Sequence, residues 1–345
     1  MAYTAIDKPS EHFSVTLYTG DGNYPRAVTG IGFQPDFVWL KNRDVAYWHQ
    51  LYDAVRGAGS TAGAGVVYSN QAAGFDDTYR LTSFDSDGFT LPSALSAKND
   101  SGNNIVAFCW KGANGTASNT DGDFTTTVSA NQTAGFSVLT GTSDAASERN
   151  VGHGLGKIPD VVFARNLEAG YNWDVWFKTT GYTSTLQFNN TSTGRTGFGS
   201  GTNSTTTFST KDDFSSKNGV KYLYYCFTSI KGFSKISQYI GNGQADGPFV
   251  YTGFKPAMVI TKRSDSTSDW RIWDHKRDPV NAVDRILYPS AANAEGAETY
   301  GDFLSNGFKP TVTTSDYNAA GGVYQYLAFA DNPFVTSTGV PTLAY

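Results

Sequence analysis

Two short motifs pair a carboxylate with a guanidinium three residues on: Asp53-Ala54-Val55-Arg56 and Asp274-His275-Lys276-Arg277. A positioned carboxylate can take part in acid–base catalysis. At the end of an apolar run, the same spacing reads more simply as a local ion pair. The matching place in mid-chain is Phe177-Lys178-Thr179-Thr180, so a copy of this unit folds without the pair. Asp76-Asp77 and Asp212-Asp213 are adjacent carboxylates. In a strand they face opposite ways, which does not suit a glycoside-hydrolysing pair. Asp85-Ser86-Asp87-Gly88 opens like a calcium loop, but its later counterpart, Leu304-Ser305-Asn306-Gly307, lacks the first acid, so a tight turn is expected. His12, His49, His153 and His275 show no metal-ligand spacing. No phosphate-cradling loop, nucleophile elbow or dinucleotide fingerprint occurs. The expectation is therefore a non-enzyme, with no catalytic, cofactor-binding or metal-binding residue and no cofactor.

Aromatic side chains are the better binding candidates. Trp173-x-x-Trp176 and Trp270-x-x-Trp273 lie in short apolar runs. In a strand the two tryptophans of each pair point to opposite faces. One can serve the core while the other stacks on a sugar or a neighbouring subunit; the alternative is that a second sheet and a loop cover both. Tyr52, Trp176 and Trp273 are the candidate surface or partner contacts.

The elements that must carry these residues repeat. Gly30-Ile31-Gly32-Phe33-Gln34-Pro35-Asp36, leading into Phe37–Lys41, returns as Gly154–Arg165 around Pro159 and, more loosely, as Thr252–Lys262 around Pro256. Each copy is a glycine turn, a proline, an apolar run and a basic residue, the pattern of a turn feeding a buried strand. The apolar runs ending in Cys109-Trp110, Cys226-Phe227 and Ala328-Phe329 close the copies. With 37 Gly, 20 Tyr and 23 Phe and only 17% charged residues, the composition fits many short strands joined by tight turns. The predicted fold class is all-β, with three tandem β-sandwich-like repeat domains of about 100 residues each. The expected layout is an N-terminal tail (1–11), repeat 1 (12–111), a linker (112–134) in which 124–128 could form one edge strand, repeat 2 (135–231), repeat 3 (232–334) and a C-terminal tail (335–345). Residues 57–80 read as a long loop and 189–207 as an exposed, mobile one.

Bulk properties narrow the partners. Lys+Arg 26 against Asp+Glu 31 gives a net charge of −5, which argues against nucleic acid. The start of the chain lacks the basic-then-apolar form of a secretory signal, and no run approaches a membrane span, so neither secretion nor membrane insertion is expected. Cys109 and Cys226 take equivalent places in different repeats and read as small buried hydrophobes rather than a disulfide.

At Gly30–Lys41, Tyr52–Gly57, Ser83–Phe89 and Asn103–Trp110, and in the opening Ile6-Asp7-Lys8-Pro9-Ser10, the chain resembles a family of repeat proteins of tailed, mostly marine, bacteriophages. The resemblance implies a virion structural protein of tail or fibre type, assembled in the host cytoplasm. Implied partners are other virion proteins, copies of itself in a homo-oligomer, and a host-surface glycan or receptor. Capsid decoration or a tail joint is the alternative, followed by a polysaccharide-degrading enzyme or a free carbohydrate-binding module.

Overall fold

The computed structural model describes residues 3–92, 97–144, 148–168, 170–181, 184–199, 201, 203–211 and 217–342. It is nearly all β. The first repeat carries β1 (Phe13–Thr19), β2 (Arg26–Val28), β3 (Phe37–Asn42), β4 (Gln50–Asp53), β5 (Val67–Tyr68), β6 (Ser83–Asp85), β7 (Gly88–Leu91) and β8 (Asn104–Trp110). Then come β9 (Ala117–Asn119), β10 (Thr126–Asn131), β11 (Phe136–Thr142), β12 (Arg149–Gly152), β13 (Val161–Asn166), β14 (Asp174–Phe177), β15 (Ser184–Gln187), β16 (Arg195–Thr196), β17 (Thr207–Thr210) and β18 (Lys221–Phe227). The last repeat holds β19 (Ser234–Ile240), β20 (Val250–Tyr251), β21 (Phe254–Arg263), β22 (Arg271–Asp274), β23 (Val283–Ile286), β24 (Gly296–Leu304), β25 (Gly307–Pro310) and β26 (Val323–Pro333).

Three larger sheets have one plan. Their orders are β1-β8-β3-β4-β5, β11-β18-β13-β14-β15-β16 (extended by β10-β9 on the near side) and β19-β26-β21-β22. The ladders fix the equivalences. Cys109 lies between Ser14 and Val38, Cys226 between Ser137 and Val162, and Ala328 between Lys235 and Val259. Both thiols are free and buried in their separate strands. Behind each large sheet packs a small one: β2-β7-β6, β12-β17 and β20-β25-β24-β23.

The proline-led strands read as buried runs because both faces of each large sheet are covered. Alternate side chains of β3 go two ways. Val38 and Leu40 join the cluster under the small sheet, while Phe37 and Trp39 enter a core shared by all three repeats. In that shared core Phe37 stacks on Tyr225 at 4.2 Å, Trp110 meets Phe329 at 5.5 Å and Phe163 meets Trp270 at 6.3 Å. Only a void of about 20 Å³ remains among these rings.

Indole hydrogen bonds tie repeat 2 to repeat 1 and repeat 3 to repeat 2. The indole N–H of Trp173 donates to the Tyr68 carbonyl of repeat 1 at 2.9 Å, and that of Trp270 donates to Gln187 of repeat 2 at 2.8 Å. His49 occupies the equivalent place in repeat 1, with the Tyr288 backbone of repeat 3 beside its ring. The backbone N–H groups of the same three residues are capped by Asn70, Asn189 and Ser290 of their own repeats.

Several sequence expectations change here. The stretch 112–134 supplies both β9 and β10 to the second large sheet, so it is integrated rather than a linker. The backbone of β10 pairs with the edge of β11, whose N–H and C=O groups need partners. Residues 3–11 are not a free tail: Ile6 is buried in the shared core and the Tyr3 hydroxyl donates to Gly253 at 2.8 Å. Among the described residues of 189–207, Phe198 is buried and stacks on Trp176, and the Thr191 carbonyl accepts from Lys262, so the stretch is anchored at these points and not exposed throughout.

Candidate functional site

Tyr52, Trp176 and Trp273 are not surface residues. Tyr52 and Trp176 are each 1% exposed and Trp273 is 0% exposed. They do point away from the shared core, but the small outer sheets and their loops cover that face. The Tyr52 hydroxyl donates to Gln50 at 2.8 Å, the Trp176 indole N–H to Gly181 at 2.7 Å, and Trp273 stacks on Tyr300 at 4.0 Å. The contact role expected of these three side chains fails on burial.

The exposed tryptophan is Trp48, at 46%. Trp48 directly precedes His49 and β4, so by position it passes for a counterpart of the core tryptophans Trp173 and Trp270. The signal was a displacement by one residue: repeats 2 and 3 have Asn172-Trp173 and Asp269-Trp270 where repeat 1 has Trp48-His49. A one-residue shift moves an aromatic to the other face of a strand. His49 takes the inward place, accepting from the Trp39 indole at 3.0 Å, and Trp48 stays outside.

Trp48 forms one wall of a cleft of about 390 Å³, with Tyr47, Gln50, Tyr68, Asp76 and Tyr79 around it. The Trp48 ring meets Tyr68 edge to face at 4.9 Å, so the indole is braced in its exposed position. Gln50 and Tyr68 are cross-strand neighbours on β4 and β5. Asp76 comes from the stretch expected to be a loop. That stretch instead folds back on β5, with the Val66 and Asp76 backbones bonded in both directions at 3.1 and 2.8 Å. Gly65 permits this close approach, since a Cβ there would lie 2.3 Å from the Asp76 carbonyl oxygen. The two acids divide their tasks. Asp76 lines the cleft, while Asp77 accepts from Gly63 and Gly65 at 3.0 and 2.9 Å and pairs with Arg80. Asp212 and Asp213 lie outside the described residues.

The Asp-x-x-Arg motif supports this loop from below. Arg56 pairs with Asp53 at 2.6 Å, both essentially unexposed, and its far nitrogen donates to the Gly65 carbonyl. The Tyr225 hydroxyl of repeat 2 adds a bond to Asp53 at 3.2 Å. In repeat 3, Arg277 pairs with Asp274 and then with Glu295, which also takes Arg43 of repeat 1 at 2.7 Å. Burial alone raises the Glu295 pKa, but the two guanidiniums more than offset it and hold the carboxyl below its ordinary range.

Beneath the cleft lies Lys98, 1% exposed, its ammonium 4.9 Å from the Tyr52 ring and 5.7 Å from the Tyr79 ring. Its Nζ has no hydrogen-bond partner among the described residues. Burial pulls its pKa down to about 7, with the nearby Asp76 carboxylate opposing. The preceding residue, Ala97, also lines the cleft and holds a left-handed φ of 75°, a conformation that costs a non-glycine residue. In contrast, Lys41 donates to Asn42, Val45 and, across the repeat boundary, Ala292.

The calcium-like turn is a structural tie. The Asp87 carboxylate accepts from the N–H groups of Gly32 and Gly30 at 2.6 and 3.0 Å, which hold its pKa below the usual carboxylate range. No His, Cys, Asp or Glu cluster fit to hold a metal occurs among the described residues. No helix among them is long and apolar enough to cross a membrane.

The chain belongs to the DUF7483 family. The model of that family, described as a domain of unknown function, matches residues 8–333 and so takes in all three repeats and the cleft. No curated protein and no solved structure matches the chain. Chemically, the cleft offers an apolar ring face beside a carboxylate, an amide and phenol hydroxyls.

Proposed function

We propose that the protein is a non-enzymatic structural component of a tailed-phage particle, of tail or fibre type, that holds a saccharide of the host surface in the Trp48 cleft. The observation that carries the glycan part is the braced, half-exposed Trp48 beside Asp76 and Gln50. The strongest carboxylate–guanidinium pairs, Asp53–Arg56 and Asp274–Arg277, are consumed in buried structural bonds, which favours a binding task over catalysis. Capsid decoration is the second reading, and the interlocked three-repeat body suits it equally well. A weak single cleft gains strength when many copies face one surface.

The test is titration of purified protein with host-surface polysaccharide, read by tryptophan fluorescence and calorimetry. Trp48→Ala is expected to weaken binding about tenfold, in line with the loss of one stacking contact. Because Trp48 belongs to none of the buried clusters, the melting temperature should stay put. Equal affinity of wild type and variant sinks the glycan reading. Antibody labelling of intact particles separates tail from head, and label on the head shell sinks the tail assignment.

A further inference from the structure

The first strands of the three large sheets, β1, β11 and β19, are equivalent, and each pairs with one long strand of its own sheet. Their opposite edges are treated in three ways. The edge of β11 is covered by β10, antiparallel from Thr126 opposite Gly141 to Asn131 opposite Phe136. The edge of β19 is capped by the turn before it. Ser234 N–H donates to the Ile230 carbonyl, and Ile236 N–H donates to the Ser229 hydroxyl at 3.0 Å.

The edge of β1 is open. His12 accepts from Lys111 and Gly20 donates to Asn103, so alternate residues Ser14, Thr16 and Tyr18 bond to β8. Val15 and Leu17 therefore direct their N–H and C=O groups outward. Neither has a backbone partner there among the described residues, and Leu17 is 38% exposed.

Beside this edge runs a groove of about 430 Å³, walled by Gly30 and Ile31 of repeat 1 and by Ala257, Ala330, Lys276 and the mutually paired His275 and Asp331 of repeat 3. One repeat further round, the counterparts of these walls are what β10 touches. Gly154 packs against Ala130 and Val128, and its carbonyl accepts from Gln132. Asp36 accepts from the Ser129 hydroxyl at 2.7 Å, and the Lys111 carbonyl accepts from Asn131 at 3.1 Å. Gly154 corresponds to Gly30. Asp36 and Ala257 each follow the proline that leads the core strand, and Lys111 and Ala330 each follow the last aromatic of the long strand.

We propose that the β1 groove is a strand-accepting site that takes an extended, uncharged arm of a partner polypeptide, paired antiparallel onto Val15 and Leu17. The occupant's chemistry follows from β10, Thr-Thr-Val-Ser-Ala-Asn, which already fills the equivalent slot in the same chain. Ala257 stands where Asp36 binds a hydroxyl, so the arm carries a small apolar residue at that position rather than a serine. Walls on both sides favour a single strand over the edge of a whole folded copy. Main-chain bonds supply the affinity and alternate side chains the selectivity.

The full chain is incubated with a synthetic peptide of residues 125–132 in which the position of Ser129 is alanine, and amide exchange over 13–19 is followed. The expected result is at least tenfold slower exchange at Val15 and Leu17, with Ser14 and Thr16 unchanged and no effect from a scrambled peptide. Leu17→Pro removes one outward donor without touching the β8 ladder and should abolish the effect. Unchanged exchange at saturating peptide overturns the proposal. So does protection that survives Leu17→Pro, or protection that rises with the protein's own concentration, since the occupant is then a second copy.

Discussion

Lys98 shows how much of the site's chemistry depends on burial that a sequence does not announce. Lys98 stands between Ala97 and Asn99, outside any apolar run, yet it lies under two tyrosine rings with no hydrogen-bond partner for its ammonium among the described residues. Its pKa falls to about 7 against an ordinary 10.5 because burial penalises the charged form. The unfolded chain therefore binds more protons than the folded one between pH 7 and 10.5, and stability rises with pH across that window. Below pH 7 the full cost is present, since the folded protein must hold the buried charge. Lys98→Met should raise stability at pH 7 and flatten the slope between pH 7 and 9, where the wild type gains at most about 1.4 kcal/mol per pH unit from this group. Urea unfolding at several pH values reads this directly, and an unaltered slope in the variant refutes the assignment. The Asp-x-x-Arg motifs were more legible. Spacing alone gave the ion pair, but nothing in it showed that the pair is sealed from water and anchors Gly65.

The strands, hairpins and proline-led core runs were readable because period-two patterning and turn chemistry are local signals. What was unreadable is non-local. Whether the outer face of Trp176 or Trp273 meets water depends on small sheets made of short strands such as β12 and β17, which pair across the intervening chain. The Gly/Ala-rich stretch 57–80 lacks periodicity, yet it folds into a tight unit through backbone bonds that glycine permits. Gly65 is the critical position, packed against Asp76 backbone and bonded through its own groups to Asp77 and Arg56. Gly65→Ala must push the 76–79 segment away from β5 by more than an ångström, since real Cβ atoms do not sit 2.3 Å from an oxygen. The expected outcome is lost saccharide binding, with local loosening visible as faster amide exchange at Val66 and Asp76. A variant that binds as wild type would show that the cleft does not rely on this loop.

Three copies in sequence suggested three separate cores, and the molecule does build one beneath each small sheet. The decisive packing is the fourth cluster, to which β1, β11, β19 and their partner strands all contribute, so that neither domain-like boundary is also a core boundary. Phe37 of repeat 1 rests on Tyr225 of repeat 2, Trp110 on Phe329 of repeat 3, and Phe163 of repeat 2 on Trp270 of repeat 3. The indole bonds from Trp173 and Trp270 cross the same boundaries. Removing one repeat would bare an aromatic face larger than soluble proteins tolerate, which argues that the three cannot melt independently. Calorimetry of the whole chain should show one transition whose calorimetric and van't Hoff enthalpies agree. Trp270→Ala should lower that single transition as a unit, by the roughly 3–5 kcal/mol typical of emptying a buried aromatic site. Resolved transitions, with only the repeat 3 component shifted by Trp270→Ala, would mean that the shared core does not couple the repeats. Coupling of this kind also gives the Trp48 cleft and the β1 groove a rigid relation to each other, because β4 and β1 belong to one sheet locked into that core.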